Sequence, residues 1–514
     1  MRPTSVLPAS PEGLISRANC LGLFGLFAVA LLLRLWRLDH QSLWFDEHLT
    51  LEGAGHPLDR LFDWLPGAES NKPPLYFVVM HWVAAAFPGD YWLRLPSAIF
   101  GAATCTLSVV VAFRLLGERW GWAVGVLHTF APMHVFYSQE ARMYTLWGLF
   151  VTGAMYWTLA YCQDLRPRSL VGYGIFAVLG CYTFTYGMFV VGFSLLFGIV
   201  FRPSLSRREF GRLVAVNALV ILSFTPWIVR IASSAASGIG LQATQRGSAV
   251  EAAAYTLFCL GFGSTLGPPL ETLQLHGRGV FQEHPVQAGV LLGGFFLLAV
   301  LLLLGCKRGW KSNRNLVYFS VAGLAAFWLT PAVVSALTSG VPYNPRYAFP
   351  AIMPCLLLFI LASQSIVEHR WLLFVLGLFI AGVFSSLFNY FLVPAYGRDN
   401  MRAAADFVSN LKPQPDHVVI CAGHLENLFR HYYHGTVPIK AVLRVQAEPS
   451  EDSLESIGRF FAADRQFVLV YSRPDHGDPS RSLPRFLEER YPLRAHKHWT
   501  GVEMLLFQRE QQEH

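Results

Sequence analysis

The sequence reads ANCLGLFGLFAVALLLRLWRL at residues 18–38 and LWFDE at residues 43–47. The first stretch is long enough to cross a bilayer, which takes about 20 apolar residues in a helix. The second stretch places two acids, Asp46 and Glu47, directly behind two aromatic residues that suit a membrane interface. Because a charge held against a membrane cavity is costly and usually functional, the two stretches predict a membrane helix with a candidate site at its end.

The composition is that of a membrane protein. Of the 514 residues, 53% are hydrophobic and 14% are charged, and the mean hydropathy is +0.39. Soluble proteins average about 25% charged residues, so the bilayer is the expected solvent for most of this chain. No small-residue cleavage site follows the first span, and Arg34, Trp36 and Arg37 lie at its end, which favours a retained helix over a signal peptide.

Eleven hydrophobic spans predict a polytopic α-helical membrane protein. Short basic segments recur between them and fall on one side when the spans alternate. The positive-inside rule places these segments and the N-terminus in the cytoplasm and the C-terminus outside. The net charge of +7 comes from these segments, so it does not indicate that the protein binds nucleic acid. The spans are residues 18–38, 95–115, 120–137, 143–162, 169–185, 187–201, 213–232, 286–306, 316–337, 347–366 and 371–393. The basic segments hold Arg114 and Arg119, Arg166 and Arg168, Arg202 to Arg212, Lys307 to Arg314, and Arg370.

A shorter apolar stretch, residues 74–87, is 14 residues long, which is typical of an interfacial or re-entrant helix. Counting it as a span would put Arg114 and Arg119 outside the cell. We therefore predict that it lies in a long outer loop, about residues 39–94. The other predicted outer loops hold Glu140 and Arg142, residues 182–186, residues 233–285 and residues 343–347.

The composition changes near residue 394. Beyond it, charged amphipathic segments alternate with short β-rich runs, which predicts a small α/β domain. We therefore predict two domains, residues 1–393 in the membrane and residues 394–514 outside the cytoplasm. The amphipathic segments are residues 402–411 and 484–490, and the β-rich runs are residues 417–421 and 466–471.

Cysteine and histidine spacing predicts no metal centre. The eight cysteines lie mostly in or beside apolar spans and none forms a CxxC pair, which disfavours a disulfide framework and a cysteine metal site. Six histidines are expected to be solvated or packed, because none has the spacing or the neighbouring carboxylate of a complete ligand set. They are His81, His276, His284, His424, His431 and His434.

Asp46 and Glu47 form the leading candidate site. A carboxylate held at the interface by Trp44 and Phe45 can act as a general base on an acceptor hydroxyl or ligate a divalent cation. The alternative is that Asp46 caps a surface helix running from Glu47 through Leu51, because aspartate is a favoured N-cap.

Lys72 is the first candidate ligand of a phosphate. Pro73 and Pro74 stiffen the chain directly after it and would fix it at the membrane surface. A lysine held there neutralises phosphate as a point charge. The alternative is a lysine at a helix start whose stem snorkels along the membrane.

Arg142 and Arg346 are the remaining candidate phosphate ligands, each at the outer end of a span. The alternatives are a structural pair between Arg142 and Glu140, and anchoring of Arg346 to lipid headgroups. Glu140, Tyr144 and Tyr347 lie beside these arginines in the sequence and are candidates to orient a substrate.

In this order, the motifs resemble those of bacterial glycosyltransferase family 39, membrane enzymes of the GT-C fold that are similar to protein O-mannosyltransferases and lipid A aminoarabinose transferases. The resemblance covers roughly residues 20–395 and is strongest over residues 30–150. The set is fairly specific for the fold and the general chemistry, and it says little about the sugar or the acceptor. The motifs are Trp44-Phe-Asp-Glu47, Lys72-Pro-Pro-Leu-Tyr76, Leu93-Arg-Leu-Pro-Ser97, Tyr137-Ser-Gln-Glu-Ala-Arg-Met-Tyr144 and Pro345-Arg-Tyr347.

The resemblance implies about 11 transmembrane helices, outer juxtamembrane helices and an inverting transfer of a sugar from a polyprenyl-phosphate donor. The acceptor would be a hydroxyl of a glycan, lipid or protein at the outer face of the bacterial cytoplasmic (inner) membrane. The matched positions are Asp46 as the base, Glu47 as its acidic neighbour, Lys72 and Arg346 as phosphate ligands, and Glu140 as the acid of the second loop.

Two departures from the family pattern matter. Many members have His-Pro-Pro where this chain has Lys72-Pro-Pro, and Asn71 replaces the acid that precedes the lysine in the aminoarabinose transferases. Their metal site is therefore not expected here, although a divalent cation at Asp46 stays an open alternative.

The hydrophobic spans are also compatible with two other classes of protein. A polytopic transporter would place ionisable residues at mid-membrane and show repeat symmetry, whereas this sequence has few mid-span charges and no repeat. The third hypothesis is a non-catalytic scaffold for envelope assembly with an outer docking domain. The presence of Asp46 disfavours it.

Overall fold

The structure is a computed structural model. It describes residues 16–69, 72–201, 205–236, 249–269, 272, 279–337, 343–364, 370–443, 448–473 and 477–509. Asn71 and His276 lie outside these ranges. The contacts within the chain divide it into two units. The helical unit comprises Met1–Leu38, Thr50–Gly267 and Pro285–Phe391, and the C-terminal unit comprises Asp39–Leu49, Pro268–His284 and Leu392–His514. The predicted boundary at residue 393 differs from this division, because the C-terminal unit also includes Asp39–Leu49 and Pro268–His284. The roles given to the two domains stay predictions.

Long apolar runs dictate the helices, and proline and glycine set their ends. Helix α5 ends before Gly117, whose φ of +80° is a conformation that glycine adopts readily. Helix α9 begins with Pro167, whose fixed φ suits a first turn. The helices up to Leu392 are α1 (Arg17–Leu35), α2 (Phe45–Gly55), α3 (Leu58–Ala68), α4 (Leu75–Ala86), α5 (Asp90–Leu116), α6 (Glu118–Phe130), α7 (Pro132–Ser138), α8 (Tyr144–Asp164), α9 (Pro167–Thr183), α10 (Phe189–Phe201), α11 (Arg207–Ala236), α12 (Ala249–Phe262), α13 (Val280–Glu283), α14 (Pro285–Ser312), α15 (Arg314–Leu324), α16 (Thr330–Leu337), α17 (Ile352–Ser363) and α18 (Trp371–Leu392). Turns of 3₁₀ helix are at Thr185–Met188 and Pro345–Ala351, and a π-helical turn at Ala325–Leu329 joins α15 to α16.

Seven helices among the described residues are long and apolar enough, by length and composition, to cross a membrane. Each of them coincides with a predicted span, and the predicted polytopic α-helical architecture is confirmed. They are Arg17–Leu35, Asp90–Leu116, Arg207–Ser233, Pro285–Ser312, Arg314–Leu337, Pro345–Ser363 and Trp371–Leu392.

The other four predicted spans are also helical, but they are interrupted, shorter or less apolar. The span predicted at residues 120–137 breaks at Ala131, because Pro132 lacks the N–H that would continue α6 and instead starts α7. Helices α9 and α10 have 17 and 13 residues. Helix α8 has 21 residues and is not among the seven.

Two short apolar helices complete the helical unit. Helix α4 has 12 residues, which agrees with the short helix predicted within residues 74–87. Within residues 233–285, which the sequence predicts as an outer loop, the structure has α12, an apolar helix of 14 residues. This helix packs against α14, and Ala253 O accepts a hydrogen bond from Trp328 Nε1 at 3.0 Å. A run of this length is too short to be recognised as a span.

The C-terminal unit contains a five-stranded mixed sheet, which confirms the predicted small α/β fold. The strand order is β2-β1-β3-β5-β4, with β1 parallel to β2 and β3, and with β5 antiparallel to β3 and β4. All seven residues of β3 are buried, as expected for a central strand covered on both faces. The strands are β1 (His417–Ile420), β2 (Ile439–Ala441), β3 (Gln466–Ser472), β4 (Leu493–Trp499) and β5 (Val502–Gln508), and the helices are α19 (Met401–Ser409), α20 (Glu426–Tyr432), α21 (Glu451–Phe460) and α22 (Ser482–Glu488).

Candidate active site

The segment that joins α7 to α8 brings several predicted residues together in the helical unit. Gln139 Nε2 donates hydrogen bonds to Arg34 O at 2.8 Å and to Trp36 O at 2.7 Å, at the end of α1. The Arg142 N–H donates to the Glu140 carbonyl at 2.7 Å. These bonds fix the segment, and the side chains of Glu140 and Arg142 are fully buried.

Arg142 forms an ion triad with Glu69 and Lys72. Arg142 Nη2 lies 2.7 Å from Glu69 Oε1, and Lys72 Nζ lies 2.8 Å from Glu69 Oε2. Arg142 Nη1 also donates to Thr50 Oγ1 at 3.2 Å. The side chains of Arg142, Glu69 and Lys72 are 1%, 5% and 11% exposed, so water and salt screen these charges little. Two of the three predicted phosphate ligands therefore meet at one carboxylate.

Glu69 reaches this position because α3 ends there. Its N–H donates to Leu65 O at 2.8 Å, and its carbonyl accepts the Lys72 N–H at 2.8 Å, so the acid and the lysine are joined through the backbone as well as through their side chains. Pro74 then precedes the first residue of α4. Sequence analysis did not identify Glu69, because an isolated acid after an amphipathic helix forms no motif, and it had suggested Glu140 as the structural partner of Arg142.

Arg346 lies among aromatic rings. The Asn344 side chain accepts the Arg346 N–H at 3.2 Å and starts the 3₁₀ turn on which the arginine lies. The guanidinium carbon is 5.7 Å from the centre of the Tyr144 ring and 5.8 Å from that of Tyr347, within the range of cation–π attraction. Tyr347 in turn stacks on Tyr186 with ring centroids 4.5 Å apart. The arginine is thus held by faces of tyrosine rings.

Tyr137 connects this aromatic cluster to Glu140. Tyr137 lies in the last turn of α7, three residues before Glu140, and the rings of Tyr137 and Tyr144 lie 5.1 Å apart. The structure therefore brings Glu140, Tyr144, Arg346 and Tyr347 into one neighbourhood of the helical unit.

In the C-terminal unit, Asp46 and Glu47 lie in the first turn of α2, which begins at Phe45. Glu47 is fully buried, and its Oε2 lies 3.0 Å from Arg398 Nη1 and accepts the Trp44 N–H at 3.4 Å. A glutamate at the third helical position that accepts the N–H of the residue before the helix is half of a capping box. Asp46 is half-buried at the second position, where the helix dipole favours a carboxylate.

The alternative in which Asp46 caps the helix is wrong. The helix begins at Phe45 rather than at Glu47, and the capping contact comes from Glu47. In the sequence, Arg398 lies just inside the domain predicted to begin at residue 394. Its pairing with Glu47 was missed because 351 positions separate the two residues.

Further bonds tie residues 39–49 into the C-terminal unit. The Leu43 N–H donates to the Tyr432 hydroxyl at 2.7 Å, and Ser42 Oγ donates to Asp399 O at 2.6 Å. The turn that carries Asp46 is therefore held from its N-terminal side.

Histidines also contact this turn. His48 is buried, and burial together with the neighbouring His431 lowers the pKa of His48 to about 4, so the ring is neutral at ordinary pH. His424 packs edge-on against Phe45 at 4.8 Å. His431 is exposed, as expected for a solvated histidine.

A second buried polar group surrounds Arg34 in the helical unit. Arg34 Nη2 donates to His134 Nδ1 at 2.8 Å and to Cys105 Sγ at 3.3 Å, and its Nε donates to Ser138 Oγ at 3.0 Å. Ligand-type atoms of Cys105, His128 and His134 lie within 4.8 Å of one another. Because Arg34 already occupies the Nδ1 lone pair and supplies a cation, the group suits a guanidinium better than a metal ion. Spacing within apolar spans could not reveal this cluster.

Comparison with solved structures identifies the fold. No protein-family profile and no curated protein matches the chain. ArnT from Cupriavidus metallidurans in the apo state matches with a TM-score of 0.59 and 14% identity over 96% of this chain and 98% of that chain. The same protein bound to undecaprenyl phosphate matches with a TM-score of 0.55 and 15% identity, over 94% and 98%.

A more distant match is the archaeal oligosaccharyltransferase AglB from Archaeoglobus fulgidus in complex with an inhibitory peptide and a dolichol-phosphate. Its TM-score is 0.49 at 11% identity, over 97% of this chain and 75% of that chain. ArnT is a lipid A aminoarabinose transferase of the GT-C fold. The similarity to ArnT at this identity concerns the fold, and it confirms the GT-C fold that the motifs predicted.

Proposed function

We propose that this chain is a membrane glycosyltransferase that moves a sugar from a polyprenyl-phosphate donor to an acceptor hydroxyl. The observation that carries the proposal is the buried triad, in which Lys72 and Arg142 each face one oxygen of the Glu69 carboxylate. Two oxygens of a phosphate can be bound by two cations in the same way. The triad lies in a fold shared with ArnT, which has been solved bound to undecaprenyl phosphate.

Lys72, Arg142 and Arg346 are proposed to hold the donor phosphate. The donor is a phosphodiester, and the bond between its phosphate oxygen and the anomeric carbon breaks with the electron pair moving to that oxygen. Cations already in place stabilise this developing charge, so the leaving group needs no proton. The low exposure of Lys72 and Arg142 strengthens the effect, because little water screens their charges.

Asp46 is proposed as the general base. It takes the proton of the acceptor hydroxyl while the acceptor oxygen bonds to the anomeric carbon. Attack from the face opposite the phosphate inverts that centre, by the in-line logic of inverting glycosidases. Glu47 is proposed to support this role by holding the first turn of α2, since its carboxylate contacts Arg398 and the Trp44 N–H.

Glu140, Tyr144 and Tyr347 are proposed to orient the substrate. The two tyrosine rings lie against Arg346, so a group bound to this arginine would also meet their faces. A buried carboxylate such as that of Glu140 can accept hydrogen bonds from sugar hydroxyls.

The proposed setting is the outer face of the bacterial inner membrane, with a glycan, lipid or protein as acceptor. The residues of the triad do not fit a divalent cation, because both oxygens of Glu69 already face cations. No metal is therefore assigned to the triad, and a divalent cation at Asp46 stays the alternative to its role as a base.

A deletion strain tests the proposal. Mass spectrometry of its lipid-linked sugars and envelope glycans is expected to show one accumulated polyprenyl-phosphate sugar and the loss of that sugar from one glycan or lipid. Complementation with the wild-type chain should reverse both changes, and Asp46→Asn should reverse neither. An unchanged lipid-linked pool would overturn the proposal, and rescue by Asp46→Asn would remove Asp46 from the role of base.

A further inference from the structure

We propose that Glu69 discriminates between the two lipid phosphates of the reaction and weakens the hold of the site on the product. The inference rests on the proposed function, because it takes Lys72 and Arg142 as the residues that bind lipid phosphate. It assigns a role to an acid that no sequence motif identified.

The geometry makes Glu69 a direct competitor of phosphate. Its two carboxylate oxygens lie 2.8 Å from Lys72 Nζ and 2.7 Å from Arg142 Nη2. A phosphate that binds these cations must displace the carboxylate or share them with it. Lys72 is the more accessible cation, 11% exposed against 1% for Arg142, so phosphate reaches the lysine first.

The two lipid phosphates differ in charge. The donor is a phosphodiester with a single negative charge, whereas the product is a monoester with a charge of about −1.5 to −2 at neutral pH. Coulomb energy scales with the product of the charges, so a fixed carboxylate repels the monoester more than the diester. Glu69 therefore lowers the affinity for both ligands, and lowers it most for the product that must leave.

A purely structural role for Glu69 predicts a different result. If the carboxylate serves only to hold Lys72 and Arg142 in position, its removal weakens the binding of both phosphates. The direction of the change in affinity therefore separates competition from support.

The test uses the purified full-length protein in detergent and two probes, farnesyl phosphate and its methyl diester, which share one chain and differ in charge. Dissociation constants are measured by isothermal titration calorimetry at neutral pH. Glu69→Gln and Glu69→Ala are each expected to tighten monoester binding about tenfold and diester binding only about three- to fivefold, because the effect on the free energy scales with the ligand charge. Asp59→Asn removes an exposed acid of α3 and should leave both constants unchanged.

The outcomes distinguish this inference from the proposed function. Glu69→Asp keeps the charge and should keep the wild-type ratio of affinities. Unchanged or weaker binding of the monoester in Glu69→Gln and Glu69→Ala, or an unchanged ratio of the two affinities, overturns the role of Glu69 alone. A wild-type protein that binds neither probe overturns the phosphate site itself. Because the two charge-removing variants differ in size, either one that folds is sufficient for the test.

Discussion

Two adjacent acids differ sharply in what surrounds them. Asp46 is half-buried at the second position of α2, whereas Glu47 is fully buried against Arg398. If Asp46 is the base, Asp46→Asn should lower the rate of sugar transfer at least about 100-fold, because general-base catalysis typically contributes about 10²–10⁴-fold. The rate is measured with purified protein and a lipid-linked sugar. Undiminished transfer would remove Asp46 from this role.

Glu47→Gln should act on stability. Removing one partner of a buried ion pair costs about 3–5 kcal/mol, and the side chains of Glu47 and Arg398 are only 0% and 7% exposed. Thermal unfolding in detergent should show a lower midpoint, while Glu52→Gln on the same helix should not. The double variant Glu47→Gln/Arg398→Met should be less destabilised than the sum of the two single variants. Additive losses would argue against the pair.

Arg346→Ala should weaken donor binding much more than acceptor binding. A charge-assisted hydrogen bond is worth about 1.5–3 kcal/mol, which corresponds to at least about tenfold in the dissociation constant of the donor. Arg314→Ala is a matched control, because Arg314 also packs on an aromatic ring, 5.6 Å from that of Trp310, but is exposed. Equal weakening of donor and acceptor in separate binding assays would contradict a phosphate-binding role.

At the scale of elements, helix packing depends on small residues. A Cβ added to Gly305 of α14 would lie 2.1 Å from the carbonyl oxygen of Leu358 on α17, so neither helix can keep its position. Gly305→Ala should destabilise the protein by at least about 1–3 kcal/mol, the usual cost of overpacking. Thermal unfolding of the purified protein measures the loss.

Gly293 is the matched control on the same helix, because a Cβ there meets nothing within 4 Å. Gly293→Ala should be neutral or slightly stabilising, because alanine is the better helix former. Equal effects of the two substitutions would mean that α14 does not pack on α17 as described. Such close backbone approach is a common device of membrane helices.

At the scale of the whole molecule, the positive-inside rule predicts the orientation in the membrane. In a variant with Cys20→Ser, an introduced Arg208→Cys should react with a membrane-impermeant thiol reagent only from the cytoplasmic side, and Asp452→Cys only from the outside. Both native side chains are exposed, so the introduced thiols are accessible. Labelling of both cysteines from the same side would contradict the predicted topology.

The long spans and the small α/β domain could be predicted from the sequence, because hydrophobic runs of about 20 residues and alternating apolar patterns are local properties of the chain. Helix α12 could not be predicted in this way, because its apolar run of 14 residues is shorter than a span. The break at Pro132 was missed because the hydrophobicity continues through it, although the backbone hydrogen bonding does not.

Some residues of the candidate site could likewise be predicted from the sequence, and others could not. Its motifs named Lys72, Arg142 and Arg346, because basic residues beside apolar stretches are visible in the sequence alone. No sequence motif marks Glu69, Thr50 or Arg398 as partners of these residues. Glu69 and Thr50 contact Arg142, and Arg398 contacts Glu47, in each case across a long separation in the chain.

The amino-acid sequence by itself determined that this chain is a membrane protein of the GT-C fold and which basic and acidic residues flank its helices. The tertiary structure decided how those charges are used: Glu69 joins Lys72 to Arg142, and Glu47 is paired with Arg398. The physical reason is that hydrophobicity acts locally along the chain, whereas a buried charge is stable only with an opposite charge brought to it by folding.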